Sequence, residues 1–263
     1  MEKKNIRTPK IKIILLSANL FGYELLKEIL KIEKAEVVAI MTLNEKSKTK
    51  MYDSIEGSRW HEFGIPVYGV GDINKELKPI KLLSPDFVIM AGWRQVINKE
   101  ILDLPLKGFI GFHPALLPQG RGSAPIINTI LTGLKKSGVT MFYLREGIDD
   151  GDIIGKLEFK IEKDDYAQDL YYKAIDAGKK LIKKFLPLLI RGKAPKIPQD
   201  ETRATYFPRR TLKDNKIDLA KEKPEEIYAK IRAFSKPYKG AYIKLKNKNL
   251  IIWRAELKNE KEF

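Results

Sequence analysis

The sequence contains no cysteine, which excludes disulfide frameworks, thiolate metal sites and thiol nucleophiles. Histidine is nearly as scarce: His61 and His113 are the only imidazoles in 263 residues, so no metal site is assigned. Acidic residues are in deficit, 34 against 50 Lys and Arg, giving a formal charge of +16. A field of that size steers anions, but the lysines are scattered through nearly every segment and read as a solvated surface. Long apolar runs are missing too. The opening MEKKNIRTPKIKIILL is basic and then apolar, yet its apolar part is short, lacks a small-residue cleavage site and passes into a strand–helix pattern. A cytoplasmic chain with no membrane span is therefore expected. Signature loops are absent as well. The first strand–helix turn, LLSANLFG, lacks the G-x-G-x-x-G spacing of dinucleotide sites, no G-x-x-x-x-G-K-[ST] occurs, and Ser123 sits in no G-x-S-x-G elbow. Nicotinamide, P-loop and serine-hydrolase chemistry are thereby disfavoured.

What is present is a chain 43% hydrophobic, enough to bury a sizeable core. Ile11–Leu16 is an apolar, β-branched run. After Ser17–Ala18–Asn19 come apolar residues at helical spacing, Phe21, Leu25, Leu26, Ile29 and Leu30. Similar strands are predicted at Val37–Met41, Asp86–Ala91, Phe109–Phe112 and Thr140–Leu144, with helices at Asn74–Leu83 and Lys99–Leu104. The alternation predicts an α/β fold, a mostly parallel sheet flanked by helices. Asp165–Ile190 reads as one long amphipathic helix that Pro187 should kink or end near its last turn.

Pro195, Pro198 and Pro208 then interrupt the pattern. We expect a main domain over residues 1–190, a linker over 191–208 and a short α+β C-terminal module over 209–263. In the module the pattern predicts a helix from Pro224, strands at Ala241–Leu245 and Leu250–Leu257, and a polar hairpin loop at Lys246–Asn249. So small a module is expected to pack on the main domain.

The chemistry concentrates in GFHPALLPQGRGSAPI, residues 111–126, and SGVTMFYLREGIDDGDII, residues 137–154. His113 falls just past a strand's C-terminal end, where open α/β sheets place their crevices, and Pro114 biases it toward an extended conformation. A Pro- and Gly-rich loop carrying Arg121 follows, suited to an anionic or carbonyl-rich ligand. The acids of EGIDDGD would stand beside it if the two strands are neighbours. A His near a carboxylate is the minimum needed to move protons near neutral pH, but spacing alone does not say which acid.

His113-Pro114-x-Leu116-Leu117-Pro118-x-x-Arg121-Gly122-x-Ala124-Pro125-Ile126 together with Glu146-Gly147-Ile148-Asp149-x-Gly151-Asp152 resembles the paired signature of the 10-formyltetrahydrofolate-dependent formyltransferases. The resemblance implies a Rossmann-type catalytic domain and transfer of a formyl group from 10-formyltetrahydrofolate to an amine. It implies His113 and Asp149 as catalytic residues and Met90, Ala91, Gly92 and Trp93 as the lining of the pterin pocket. Arg121, Gly122 and Asn128 are the candidates for contacting substrate. Mechanistically, the amine attacks the formyl carbon, and the site must hold the oxyanion and remove a proton.

One position departs from the family, which carries Asn two residues before the His where this chain has Gly111. Three accounts stand open: another donor such as Asn128 or a backbone N–H substitutes, the mechanism is modified, or transfer is lost. For the acceptor, the short tail and PRRT, residues 208–211, resemble the sugar-nucleotide N-formyltransferases and imply a nucleotide-linked amino sugar. Methionyl-tRNA is the alternative, and a catalytically silent folate- or RNA-binding protein the reading from another class. Homodimerisation is left open.

Overall fold

The computed structural model describes residues 10–49, 51 and 53–259; the basic stretch before Lys10 lies outside them. In chain order the elements are β1 Ile11–Leu16, α1 Leu20–Ile29, β2 Ala35–Leu43, β3 Val67–Val70, α2 Leu77–Leu83, β4 Phe87–Met90, α3 Lys99–Leu102, β5 Gly108–His113 and β6 Arg121–Gly122. They continue as α4 Pro125–Leu131, β7 Lys136–Tyr143, β8 Ile153–Lys160, α5 Ala167–Ile190, β9 Tyr206–Phe207, α6 Pro224–Phe234, β10 Ala241–Leu245 and β11 Lys248–Ile252.

Seven strands form one sheet in the order β3-β2-β1-β4-β5-β7-β8. The first five in that order run parallel; β7 is antiparallel to β5, and β8 to β7. Strand β1 shows why both faces need cover: Ile13 and Leu15 enter one apolar cluster, Ile14 and Leu16 the other, because successive side chains point to opposite faces. Helices α1, α4 and α5 supply the first cluster; Ile80 of α2 and Ile101 and Leu102 of α3 supply the second. The α/β expectation holds, and the strands carrying the two motifs are neighbours, His113 lying opposite Thr140.

The sequence pattern missed β3 and β8. Val67–Val70 is short and interrupted by a glycine, while Ile153–Lys160 is buried only over its first three residues and then alternates exposed with half-buried residues. Strand β7 begins four residues earlier than expected, because β8 pairs it back to Lys136. The span 74–83 divides into a 3₁₀ turn, Ile73–Lys75, and α2. Helix α5 runs through Pro187 to Ile190, ending within one turn of it.

The C-terminal module packs on the sheet's helical layer: Ala233 and Phe234 of α6 belong to the main cluster. Its second strand ends at Ile252 rather than Leu257, and Leu245 pairs with Lys248, so the hairpin loop is Lys246–Asn247. Lys246 adopts a left-handed φ of 50°, as a two-residue hairpin turn requires. Residues 191–208 are more than a connector. Ile197 bridges to Ile153, and β9 pairs in parallel with β6, the loop that follows His113.

Candidate active site

Strands β1, β4 and β5 run parallel and adjacent, so their C-terminal ends open on one edge of the sheet. Between β1 and β4 the strand order reverses direction, the switch point at which open α/β sheets form crevices. His113 closes β5 on this edge and is 6% exposed. Its Nε2 lies 2.7 Å from the carbonyl oxygen of Gly120. A carbonyl only accepts, so Nε2 carries the proton. Nδ1 faces Asp149 Oδ2 at 3.5 Å.

Asp149 is presented by the loop between β7 and β8 in a left-handed conformation, φ 52°, which Asp tolerates better than most residues with a Cβ. Three contacts hold it and its loop. The Gly122 N–H donates to Oδ2 at 2.9 Å, and the Gln199 amide donates to the carbonyls of Asp149 and Gly151, both at 2.8 Å. The carboxylate keeps 23% exposure, so the pair is reachable.

Two residues expected to contact substrate are committed elsewhere. Arg121 is 1% exposed, and its guanidinium donates to Gln199 Oε1, both Glu201 oxygens and the Tyr206 hydroxyl. Glu201's hydrogen bonds push the Arg121 pKa up and Arg121's push the Glu201 carboxyl down from its ordinary range. Arg121 therefore faces the 199–206 segment, not a ligand. Asn128 is fully buried; its amide donates to the carbonyls of Ser123, Ala124 and Pro208, and its oxygen accepts from Arg210. That arrangement corrects the idea that Asn128 replaces a missing oxyanion donor, since its N–H groups are spent. Arg210 docks the chain after the linker, and Arg209 is exposed. His61 is exposed in a 3₁₀ turn whose Trp60 is buried.

Met90–Trp93 leave β4 on the same edge. Gly92 has φ 70° and packs so closely on Asn19 that a Cβ would stand 1.9 Å from its Oδ1. The indole Nε1 of Trp93 and Oδ1 of Asp150 are buried with no hydrogen-bond partner among the described residues. The residue after Trp93 joins a hub that the sequence did not announce: Asp53 accepts from Asn19, Arg94 and the Tyr171 hydroxyl at 2.6, 3.0 and 3.1 Å. Burial and then Asp53's charge push the Tyr171 and Tyr238 phenols upward. No local pattern marks this hub, because its members come from residues 19, 53, 94, 171 and 238.

Two family models match, "Formyl transferase" over residues 70–186 and "Formyl transferase, C-terminal domain" over residues 210–262. A methionyl-tRNA formyltransferase of Bacillus velezensis is 37% identical over 226 residues, covering 84% of this chain and 71% of that protein. The chain belongs to the formyl transferase family. The fold of this formyltransferase matches a 4-N formyltransferase from Francisella tularensis, TM-score 0.76 and 22% identity over 95% of this chain and 98% of that one. It also matches an N-formyltransferase from Helicobacter canadensis solved with folinic acid and dTDP-3-aminofucose, TM-score 0.66 and 24% identity over 85% and 80%. No helix among the formyltransferase's described residues is long and apolar enough to cross a membrane, and no group of three or more of their His, Asp and Glu side chains is arranged to hold a metal ion.

Proposed function

We propose that this formyltransferase moves the formyl group of 10-formyltetrahydrofolate onto the amine of a nucleotide-linked amino sugar, with His113 and Asp149 at the reacting centre. The observation that carries the acceptor is a cavity of about 410 Å³. Tyr171, Tyr172, Tyr238 and Trp253 offer aromatic surface, Arg59 and Lys236 supply positive charge, and Asp53 stands on the wall. Flat aromatic faces suit a base, and the two cations suit a diphosphate.

Its position fits such an acceptor. Asp53 is bonded to Asn19 just beyond β1, and β1 is two strands from β5. At strand spacings of about 4.8 Å, Asn19 and His113 stand on the order of 10 Å apart, the scale of one sugar ring and a phosphate. The Helicobacter canadensis relative, with its bound dTDP-3-aminofucose, supports the same acceptor class.

The unpartnered donor on Trp93 fits an acceptor atom of a pterin ring next to Met90–Gly92. When bound, the folate supplies the electrophilic formyl carbon. The chain's own task is the proton that the attacking amine sheds. Because Nε2 of His113 is held on the Gly120 carbonyl, the receiving edge is Nδ1 with Asp149 behind it. Once protonated there, the imidazolium is held by the Asp149 carboxylate and sets a positive charge beside the carbon where the oxygen charge develops. Returning that proton to the departing folate nitrogen completes the exchange.

The test is to incubate the protein with 10-formyltetrahydrofolate and either dTDP- and UDP-linked amino sugars or Met-tRNA, following each acceptor by mass for a formyl gain. We expect a formylated sugar nucleotide that disappears with His113→Ala. The Bacillus relatives are methionyl-tRNA formyltransferases, which favours the second reading. Product from Met-tRNA alone would replace the acceptor and leave the chemistry standing; no product from either, with folate bound, would sink transfer itself.

A further inference from the structure

The 199–206 segment closes a ring of hydrogen bonds around the His–Asp pair. His113 Nε2 donates to Gly120; Gly120 N donates to Thr205 Oγ1 and Arg121 N to Thr205 O; Arg121 donates to Gln199 Oε1; and Gln199 Nε2 donates to the backbone of Asp149 and Gly151. Gln199 is where the two loops meet. One end of its amide accepts from the loop that holds the imidazole, and the other donates to the loop that presents the carboxylate.

We propose that Gln199 is a positioning residue for formyl transfer, acting through Asp149 rather than by touching substrate. Three observations carry this. Asp149 sits at a φ of 52°, a left-handed turn conformation that Asp tolerates but that needs neighbouring contacts to fix where its carboxylate points. Gln199 donates to the carbonyls of Asp149 and Gly151, on either side of Asp150, with two 2.8 Å bonds. Its own amide is oriented without ambiguity, because Arg121 can only donate and the two carbonyls can only accept. Loss of these bonds lets residues 149–151 relax, and the carboxylate drifts from Nδ1, already at 3.5 Å. A misplacement of about 1 Å at a reacting group costs on the order of a hundredfold in rate.

This inference rests on His113 and Asp149 being the reacting pair, so the experiment separates the two ideas. Gln199→Glu keeps an acceptor for Arg121 and loses both donors; Gln199→Ala loses everything and serves as the second variant. With dTDP-3-aminofucose and Met-tRNA as acceptors, we expect kcat to fall roughly ten- to a hundredfold while KM for 10-formyltetrahydrofolate stays within about twofold, as when only transition-state interactions are lost. In the Asp149→Asn background, Gln199→Glu should add little further loss, the sign of two residues acting as one. A readout that needs no acceptor is the ¹⁵N signal of the His113 ring, assigned by its disappearance in His113→Ala since His61 is the only other histidine. We expect Gln199→Glu to displace it in the same direction as Asp149→Asn does. Unchanged ring signals and kcat with only a lower melting temperature, or fully additive loss with Asp149→Asn, would overturn the positioning role. Undiminished turnover in His113→Ala would instead remove the reacting pair, while the ring signals would still decide whether Gln199 sets its geometry.

Discussion

A side chain at position 111 would have to displace Leu144. A Cβ built there stands 2.2 Å from Leu144 Cδ1 and 3.0 Å from the Phe142 ring, so the departure at Gly111 is matched by a neighbour that has filled the space. Gly111→Asn alone should therefore overpack the site, lowering stability by about 1–3 kcal/mol. Gly111→Asn with Leu144→Ala should lose less than the sum of the two single changes, because the residues share one volume. Thermal or urea melts of the three variants check this, and strict additivity would mean that Leu144 simply rotates away. The same packing argument bears on chemistry: restoring the amide without making room is not expected to restore a donor aimed at the formyl oxygen.

Among the elements, the 191–208 segment behaves least like its sequence. Prolines and polar residues read as a linker, but in space β9 lies along β6, and Gln199, Glu201 and Thr205 tie it to the loops around His113 and Asp149. The ion pair in this latch is lopsided, Arg121 buried and Glu201 65% exposed. The Arg121 hydrogen bond holds the Glu201 carboxyl below its ordinary 4.5. The sign follows from linkage: a depressed carboxylate contributes stability that is present above about pH 4.5 and is lost as pH falls through the folded value. Hydrogen-exchange protection of the Arg121 and Thr205 amides, which bond across the latch, should thus fall between pH 6 and pH 3.5. In Glu201→Gln it should start lower and change less over that interval. Equal pH responses in both proteins would show that the ion pair does not govern the latch.

At the scale of the whole molecule, the C-terminal module does not stand apart. Phe234 is 2% exposed and shares the main cluster with residues of α1, α4 and α5, while Tyr166, at the start of α5, joins Ile217, Ile231 and Ala241 in a smaller one. Phe234→Ala should cost about 3–5 kcal/mol and lower one common melting transition, as scanning calorimetry would register. A new early transition carrying only the module's share of the enthalpy would show instead that the module melts alone. The division proposed at 1–190, 191–208 and 209–263 is read from the sequence, and the packing of Phe234 predicts that folding is shared across it. The cavity assigned to the acceptor depends on the same docking, since Tyr171 and Tyr172 come from α5 and Lys236, Tyr238 and Trp253 from the module.

The sequence by itself determined the fold class and five of the seven strands of the sheet, because hydrophobic period and β-branched runs are local properties that the strands and helices inherit residue by residue. It also determined the two motifs and their adjacency to a strand end. Only the tertiary structure decided which partner each polar side chain took. Arg121 could have met a ligand by residue type, yet it met Glu201, 80 residues on; Asn128 could have served the reaction, yet it was spent on Pro208 and Arg210. Strand β8 escaped notice because half its length alternates weakly, and pairing with β7 supplied what its own pattern did not. Gln199 carries no signal in the sequence for a related reason. A hydrogen bond between residues 50 apart is written in the path of the backbone, and no local spacing encodes it.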